Sequence, residues 1–168
     1  MRPITLIFTL ILAGCTSYGG TGLRPGESRL ADVEALMGQP AMRWKNGDGS
    51  VQLAYPRGPA GYQTFMVYIG PDGRLQCNVN VLNETGLARI GPGMTKEQVL
   101  RVLGPPDYSR TVYFKARDEL VWDWRFCPYT LNTSHMLVLF DGTSGTVRTT
   151  GVQPIYPGRA MTEAHCSR

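Results

Sequence analysis

Two stretches of the chain carry apolar residues at helical spacing, several carry them at strand spacing, and the order in which they follow one another repeats. From Ser28, residues Leu30, Val33, Leu36 and Met37 form a stripe of helical period, with Ser28 placed to cap its start and Gly38 and Pro40 to stop its end. Further on, Val99, Val102 and Leu103 form a second stripe; Thr95 and Gln98 have the spacing of a capping box, Met94 and Val99 that of a hydrophobic staple, and Gly104-Pro105-Pro106 is the stop. Each helix would run about eight to ten residues, below the ~12–15 at which isolated helices become even marginal in water, so each must be held by packing. Strand patterns come after both. After the first helix they cover 50–55, 63–69 and 74–81, the last two joined by the turn Gly70-Pro71-Asp72-Gly73. After the second they cover 119–126, 134–140 and 146–150, with Asp141-Gly142-Thr143-Ser144-Gly145 as the matching turn. A further extended segment fits 41–45, and 83–90 reads as a short helical turn capped at Asn83. The expected fold is therefore α+β, two tandem repeats of short helices packed on a three- to four-stranded antiparallel sheet.

The N-terminus departs from this pattern. Met1-Arg2-Pro3 is a minimal cationic start, and the apolar stretch after it, 4–12, is shorter than the ~20 residues a spanning helix needs, which is the layout of an export signal. Leu12-Ala13-Gly14-Cys15 resembles the lipobox of bacterial lipoproteins, in which small residues admit the chain to a peptidase and the cysteine thiol takes a diacylglycerol. Cys15 is thus the expected lipid-attachment site. Each buried acyl methylene is worth ~0.8 kcal/mol, so two or three chains hold a protein on a bilayer where one would not. Thr16 stands where an Asp would resemble the inner-membrane retention signal, which favours the outer membrane. The expected organisation is a lipoprotein signal peptide at 1–14, a lipidated Gly-rich tether at 15–22 with a reach of ~15 Å, a first repeat at 23–82, a second at 83–150 and a tail at 151–168.

Composition fits a turn-rich globular protein: 42% hydrophobic and 18% charged, with 20 Gly and 12 Pro. The net charge of +4 is spread over Arg24, Arg29, Arg43, Lys45, Arg57, Arg74 and onward, with no run that would neutralise a phosphate backbone, so nucleic acid is not an expected partner. Of the four cysteines, Cys77 sits among Leu75 and Val79 on the apolar side of an alternating strand and reads as a small buried hydrophobe. Cys127 ends an aromatic strand, and Cys166 lies in a tail with no core pattern of its own. A Cys127–Cys166 disulfide would close a long loop, worth roughly 4 kcal/mol, and would order that tail; a Cys77–Cys166 pairing is the competing arrangement. No CxxC or Cys/His spacing suggests a metal, and no cofactor is expected.

No converging acid, base and nucleophile is evident, so the chain is not expected to be an enzyme. His135 alternates with core residues and reads as a surface strand position; Asp118, Glu119 and Asp123 cluster near a strand start, and Asp123, between Trp122 and Trp124, is expected to face water. His165 neighbours Cys166, but adjacent residues rarely face each other productively, and a disulfide would consume the thiol. Trp122, Trp124 and Phe126 share one face by period two, which makes them core beneath the second helix; were that helix to cover only part of the face, they would be candidate protein-binding aromatics.

The stretch from Leu87 to Pro106, with Gly93-Met94-Thr95, Gln98-Val99 and Leu103-Gly104-Pro105-Pro106 standing together, resembles the helical signature of the SmpA/OmlA family. These are the BamE-like small lipoproteins of the β-barrel assembly machinery in bacterial outer membranes. The resemblance covers 82–150 and implies two short helices packed on a three-stranded antiparallel sheet; the lipobox at Cys15 agrees with the family's anchoring. The first half has Pro25-Gly26-Glu27-Ser28 where the motif has Gly-Met-Thr and lacks the capping-box Gln, so its kinship rests on the order of elements. Two such units in tandem resemble β-lactamase-inhibitor-like proteins, whose repeats share a concave sheet that grips another protein. Together these imply a lipoprotein held on the outer membrane through acylated Cys15 and facing the periplasm. It would act as a protein-binding scaffold or accessory in outer-membrane assembly or envelope integrity, with an envelope protein, such as β-barrel assembly machinery, as partner. An inhibitor-like binder of a periplasmic enzyme and a small-ligand carrier are the alternatives.

Overall fold

Each helical stripe is followed by four antiparallel strands, and the computed structural model describes the chain over residues 19–58, 61–128 and 132–155. Helix α1 (Leu30–Met37) leads into β1 (Met42–Lys45), β2 (Val51–Pro56), β3 (Thr64–Ile69) and β4 (Leu75–Asn80), which pair in that order. Helices α2 (Glu84–Ala88) and α3 (Lys96–Leu103) lead into β5 (Val112–Phe114), β6 (Glu119–Phe126), β7 (Ser134–Asp141) and β8 (Val147–Pro154), again paired in sequence order. The fold is the expected α+β arrangement of two tandem helix-plus-sheet units. Both sheets have four strands. The extended segment before Asn46 is β1, and its counterpart in the second unit is the three-residue β5.

The two units share irregularities as well as regular elements. β3 and β4 pair Ile69 with Leu75 and then Tyr68 with Cys77, leaving Gln76 as an extra residue; β7 and β8 pair Phe140 with Val147 and then Leu139 with Thr149, leaving Arg148 in the same position. Such a β-bulge flips the face of everything beyond it. The segment entering each helix also bridges to the start of the last strand: Arg29 pairs with Arg74, and Thr95 with Thr146. Both helices end on a glycine in the left-handed region, Gly38 at φ 82° and Gly104 at φ 75°.

The helix caps differ between the units. In the second, the box forms as predicted: Gln98 N donates to Thr95 Oγ1 at 3.2 Å and Thr95 N donates to Gln98 Oε1 at 2.8 Å. In the first, Ser28 is not the cap. Its carbonyl accepts from Leu75 N at 2.8 Å and its hydroxyl accepts from Arg24 N at 2.9 Å, so it belongs to the bridge with β4. The cap position is Arg29, which has no oxygen to offer, and Asp32 supplies half of the box by accepting from Arg29 N at 2.7 Å. Asn83 caps α2 as expected, accepting from Gly86 N at 2.8 Å.

Four layers stack in the order α1, first sheet, α3, second sheet. One face of the first sheet packs Leu53, Tyr55, Val67, Ile69 and Leu75 against Val33 and Met37 of α1. Its other face packs Trp44, Ala54 and Met66 against Leu100 of α3. The far side of α3 places Val99 and Leu103 on the second sheet, among Trp122, Trp124, Phe126, Met136, Val138 and Phe140. A sheet covered on both faces should bury successive residues, whereas one covered on a single face should alternate. β2 accordingly buries Gln52 through Tyr55 without a break, and β7 alternates buried and half-buried along its length. Polar contacts join the units too: Trp44 Nε1 donates to Glu97 Oε1 at 2.5 Å, Gln52 Nε2 to the Arg101 carbonyl at 2.5 Å, and the Arg101 guanidinium lies 5.5 Å from the Trp44 ring centroid.

Two expectations for the first unit are corrected. The glycine-rich tether is not free along its whole length: Gly20 is buried, and the Gly19 carbonyl accepts from Asn78 Nδ2 of β4 at 3.0 Å, whereas Thr21 and Gly22 are exposed. Cys77 is a free cysteine but only half-buried. The bulge at Gln76 separates it from the face of Leu75, which is 1% exposed, and puts it opposite Tyr68 on the face of Val79, which is 42% exposed.

Candidate protein-binding surface

Helix α3 is stopped at Gly104 and the chain leaves through Pro105 and Pro106, neither of which can donate a backbone hydrogen bond to a sheet. Asp107 then pairs with β6, its N–H donating to the Asp123 carbonyl at 2.8 Å. Its carboxylate accepts from Ser109 N at 3.1 Å and Ser109 Oγ at 2.6 Å, which closes the 3-10 turn Tyr108–Arg110. The chain then enters the short edge strand β5, pairing Val112, Tyr113 and Phe114 with Val121, Leu120 and Glu119. The outer side of β5 is an open strand edge, and all three of its residues are exposed.

Six large hydrophobic residues among those described are exposed, and four belong to this segment: Tyr108 at 60%, Val112 at 45%, Tyr113 at 53% and Phe114 at 41%. Isolated exposed apolar residues are ordinary, but a contiguous group on a sheet edge is a mark of an interaction site. Cations rim it. The Arg117 guanidinium lies 4.5 Å from the Phe114 ring centroid, and Arg110 and Lys115 flank the strand.

The turn closing this edge is held by a polar network instead of a core. Asp118 takes the left-handed conformation at φ 46°, and its carboxylate accepts from the Thr143 hydroxyl at 2.6 Å and from the Tyr113 phenol. Those two bonds, Thr143 first, hold the Asp118 carboxyl below its ordinary value, and the bond to Asp118 raises the Tyr113 phenol. Arg148, the bulge residue, grips Asp141 through Nε at 3.0 Å and Nη2 at 2.6 Å and donates from Nη1 to the Arg117 carbonyl at 2.9 Å. The Ser144 backbone N–H and then Arg148 bring the Asp141 carboxyl down to about 2. The bulge thus ties the end of β7, through Asp141, to the β5–β6 turn, through the Arg117 carbonyl, and the edge is presented on a braced frame.

Trp122, Trp124 and Phe126 are not surface aromatics. They are 7, 2 and 0% exposed, covered by α3, with the Trp122 ring edge-on to Trp124 at 6.1 Å and to Phe140 at 4.7 Å between centroids. The aromatics that do reach solvent lie upstream, and the sequence signal for them was the Tyr113-Phe114 pair outside any full alternating run. Asp123 does not face water either: it is 7% exposed and pairs with His135 Nδ1 at 2.9 Å, a diagonal contact across β6 and β7 that alternation along one strand does not reveal. His135 is correspondingly half-buried, not a free surface position. Cys15 and Cys166 lie outside the described residues, and Cys127 is disulfide-bonded.

A family model, the outer membrane protein assembly factor BamE domain, matches residues 79–120. The match starts at the end of β4, spans α2, α3 and β5, and stops at the start of β6. It therefore contains the capped α3 and all four clustered exposed hydrophobics. No curated protein and no solved structure matches the chain. The resemblance to the SmpA/OmlA, BamE-like family read from Leu87 to Pro106 is borne out over residues 79–120, where this chain is similar to a BamE domain.

Proposed function

We propose that this protein is a membrane-anchored lipoprotein that acts as a protein-binding scaffold or accessory in outer-membrane assembly or envelope integrity, docking its partner along β5. The observation that carries the reading is the exposed group Tyr108, Val112, Tyr113 and Phe114 inside the segment similar to a domain of an outer-membrane assembly factor. An open edge strand offers unpaired backbone groups to an added strand, and the aromatics beside it supply contact area of the kind that dominates binding energy. The proposed partner is an envelope protein, such as a component of β-barrel assembly machinery. The chain carries out no chemistry in this role.

Anchoring rests on acylated Cys15, in the outer membrane and facing the periplasm. Gly19 is packed on β4, and at ~3.5 Å per residue the chain from Cys15 to Gly19 spans at most roughly 15 Å, so the domain sits close to the lipid. Cys15→Ser should leave the exported protein uncut or soluble, and retention through a carbonate wash would refute the lipid anchor. The Cys127–Cys166 disulfide belongs to the same reading of an exported chain. It is supported by Cys127 being bonded while Cys77 is free; a Cys77-containing disulfide in non-reducing peptide mapping would overturn it.

Docking is tested by a photo-crosslinking residue placed at Tyr113 in living cells, with one at exposed Glu27 as control. Position 113 should give a single adduct with an outer-membrane assembly protein, and Glu27 should give none. An adduct with a soluble periplasmic enzyme would favour the inhibitor-like alternative instead. Equal adducts from both positions would remove β5 as the site.

A further inference from the structure

Where the first unit meets the end of α3 there is a cleft of about 520 Å³, within the ~300–1,000 Å³ range of small-molecule sites. Neither unit forms it alone. Met42 and Pro56 line it from the first sheet, and Pro105, Trp124 and Arg125 from the second unit, with Leu82 between them. The junction is fixed by Gly104, whose position leaves no room for a side chain: a Cβ there would stand 2.7 Å from Thr64 Cγ2. Met42, Pro56, Leu82 and Pro105 give aliphatic walls, and the prolines add no N–H donors.

The charges in this lining are Asp107 and Arg125. Asp107 is already engaged, by Ser109 and by Arg110 at 3.5 Å. Arg125 is not matched in the same way. Its Nη2 donates to the Tyr62 hydroxyl, a neutral partner at 3.3 Å, and its guanidinium lies 5.0 Å from that ring. Among the described residues no carboxylate pairs with it, and its Nε is buried with no hydrogen-bond partner, as is Nε1 of the adjacent Trp124. A half-buried guanidinium with donors to spare, at the rim of an aliphatic cleft, is complementary to one planar anionic group attached to an aliphatic body. The Asp107 carboxylate in the same lining disfavours a dianion.

We propose that this inter-unit cleft binds a long-chain aliphatic carboxylate, of the fatty-acid class, with its chain among Met42, Pro56, Leu82 and Pro105 and its carboxylate on Arg125. The cleft shares Tyr108 with the exposed group that leads into β5, but its ligand does not depend on the docking role.

The test uses the full chain carrying Cys15→Ser and titrates palmitate, hexadecanol and hexadecyl phosphate, each below its aggregation range, followed by calorimetry and tryptophan fluorescence. Palmitate should bind at one site per chain, about tenfold or more tighter than hexadecanol, the advantage expected of a charge-assisted hydrogen bond. Arg125→Gln should bring palmitate down to the level of hexadecanol while leaving hexadecanol unchanged, which a merely misfolded variant would not do. Met42→Trp, which fills the cleft, should lose both ligands with the circular dichroism melt retained. The proposal is overturned if palmitate shows no saturable binding, if it binds no better than hexadecanol, if Arg125→Gln leaves its advantage intact, or if hexadecyl phosphate outbinds it.

Discussion

At the scale of single residues, the structure separates glycines that are needed from those that are not. Gly86 lies inside α2 with ordinary helical neighbours, yet a Cβ on it would stand 1.9 Å from the Val81 carbonyl oxygen and 3.0 Å from its carbon. Backbone cannot yield as a side chain can, so Gly86→Ala should cost about 2–3 kcal/mol by overpacking, whereas Gly91→Ala, with open space around it, should leave the thermal midpoint where it was. Equal midpoints for the two variants would show that α2 moves freely on β4. A second prediction concerns acid. Asp141 is held at about 2 against an ordinary 3.8, chiefly by the Ser144 N–H and Arg148. A depressed folded-state value stabilises the fold at pH above the unfolded value, and that stabilisation is lost as pH falls from about 4 through about 2. Asp141→Asn should therefore lower the melting midpoint at neutral pH, converge on the parent as pH approaches about 2, and so flatten the acid limb in that window; an unchanged acid limb would locate the sensitivity elsewhere. Neither residue was visible in the sequence for what it does. Gly86 reads as one more glycine in a short helical turn and Asp141 as one more turn aspartate, because nothing in either local pattern shows the atoms that give them their roles, Val81 O and the bulge residue Arg148.

At the scale of elements, what was legible is what depends on neighbours in sequence. The capping box Thr95/Gln98, the glycine stops at Gly38 and Gly104, the Asn83 cap and both hairpin turns are local devices, and each formed where its residues stand. The failures are elements whose pairing partners are distant. Ser28 has the residue type of a cap, but its carbonyl is taken by Leu75 and the helix starts one residue later on an arginine. Cys77 and Leu75 share a parity, but the bulge at Gln76 puts them on opposite faces. The difference between the two helix starts gives a measurable asymmetry. Thr95→Ala removes a formed cap and leaves the Gln98 N–H without its partner, which should cost about 1 kcal/mol. Ser28→Ala removes a hydroxyl bonded to an exposed turn and should cost only a small fraction of that. Chemical denaturation at neutral pH would compare them, and a larger loss at Ser28 would mean that the start of α1 is capped from that residue after all.

At the scale of the whole molecule, the sequence announces two units but not that one helix serves both. The stripe Val99, Val102 and Leu103 marks a single face of α3, while Leu100 and Arg101 on its other side are what the first sheet uses. The first sheet in turn hides this in β2, where Gln52 is 6% exposed although its residue type suggests a solvent face. Gln52 is the polar member of that junction, donating to the Arg101 carbonyl in the last turn of α3, beside the Trp44–Glu97 bond. A helix packed between two sheets ties their stabilities together, because neither sheet can release it without exposing its own buried face. The two units should therefore unfold in one transition. Trp44 reports on the first and Trp122 with Trp124 on the second, so replacing each set by phenylalanine in turn leaves a fluorescent probe in one unit at a time. Gln52→Ala removes the donor and leaves the Arg101 carbonyl buried without it, which should cost about 1–3 kcal/mol. In a coupled molecule that loss lowers the urea midpoint seen by both probes equally, although Gln52 belongs to the first unit alone. Midpoints that separate, with the second-unit probe unmoved, would mean that α3 stays with its own sheet while the first unit melts away from it, and the four layers would then be two independent pairs.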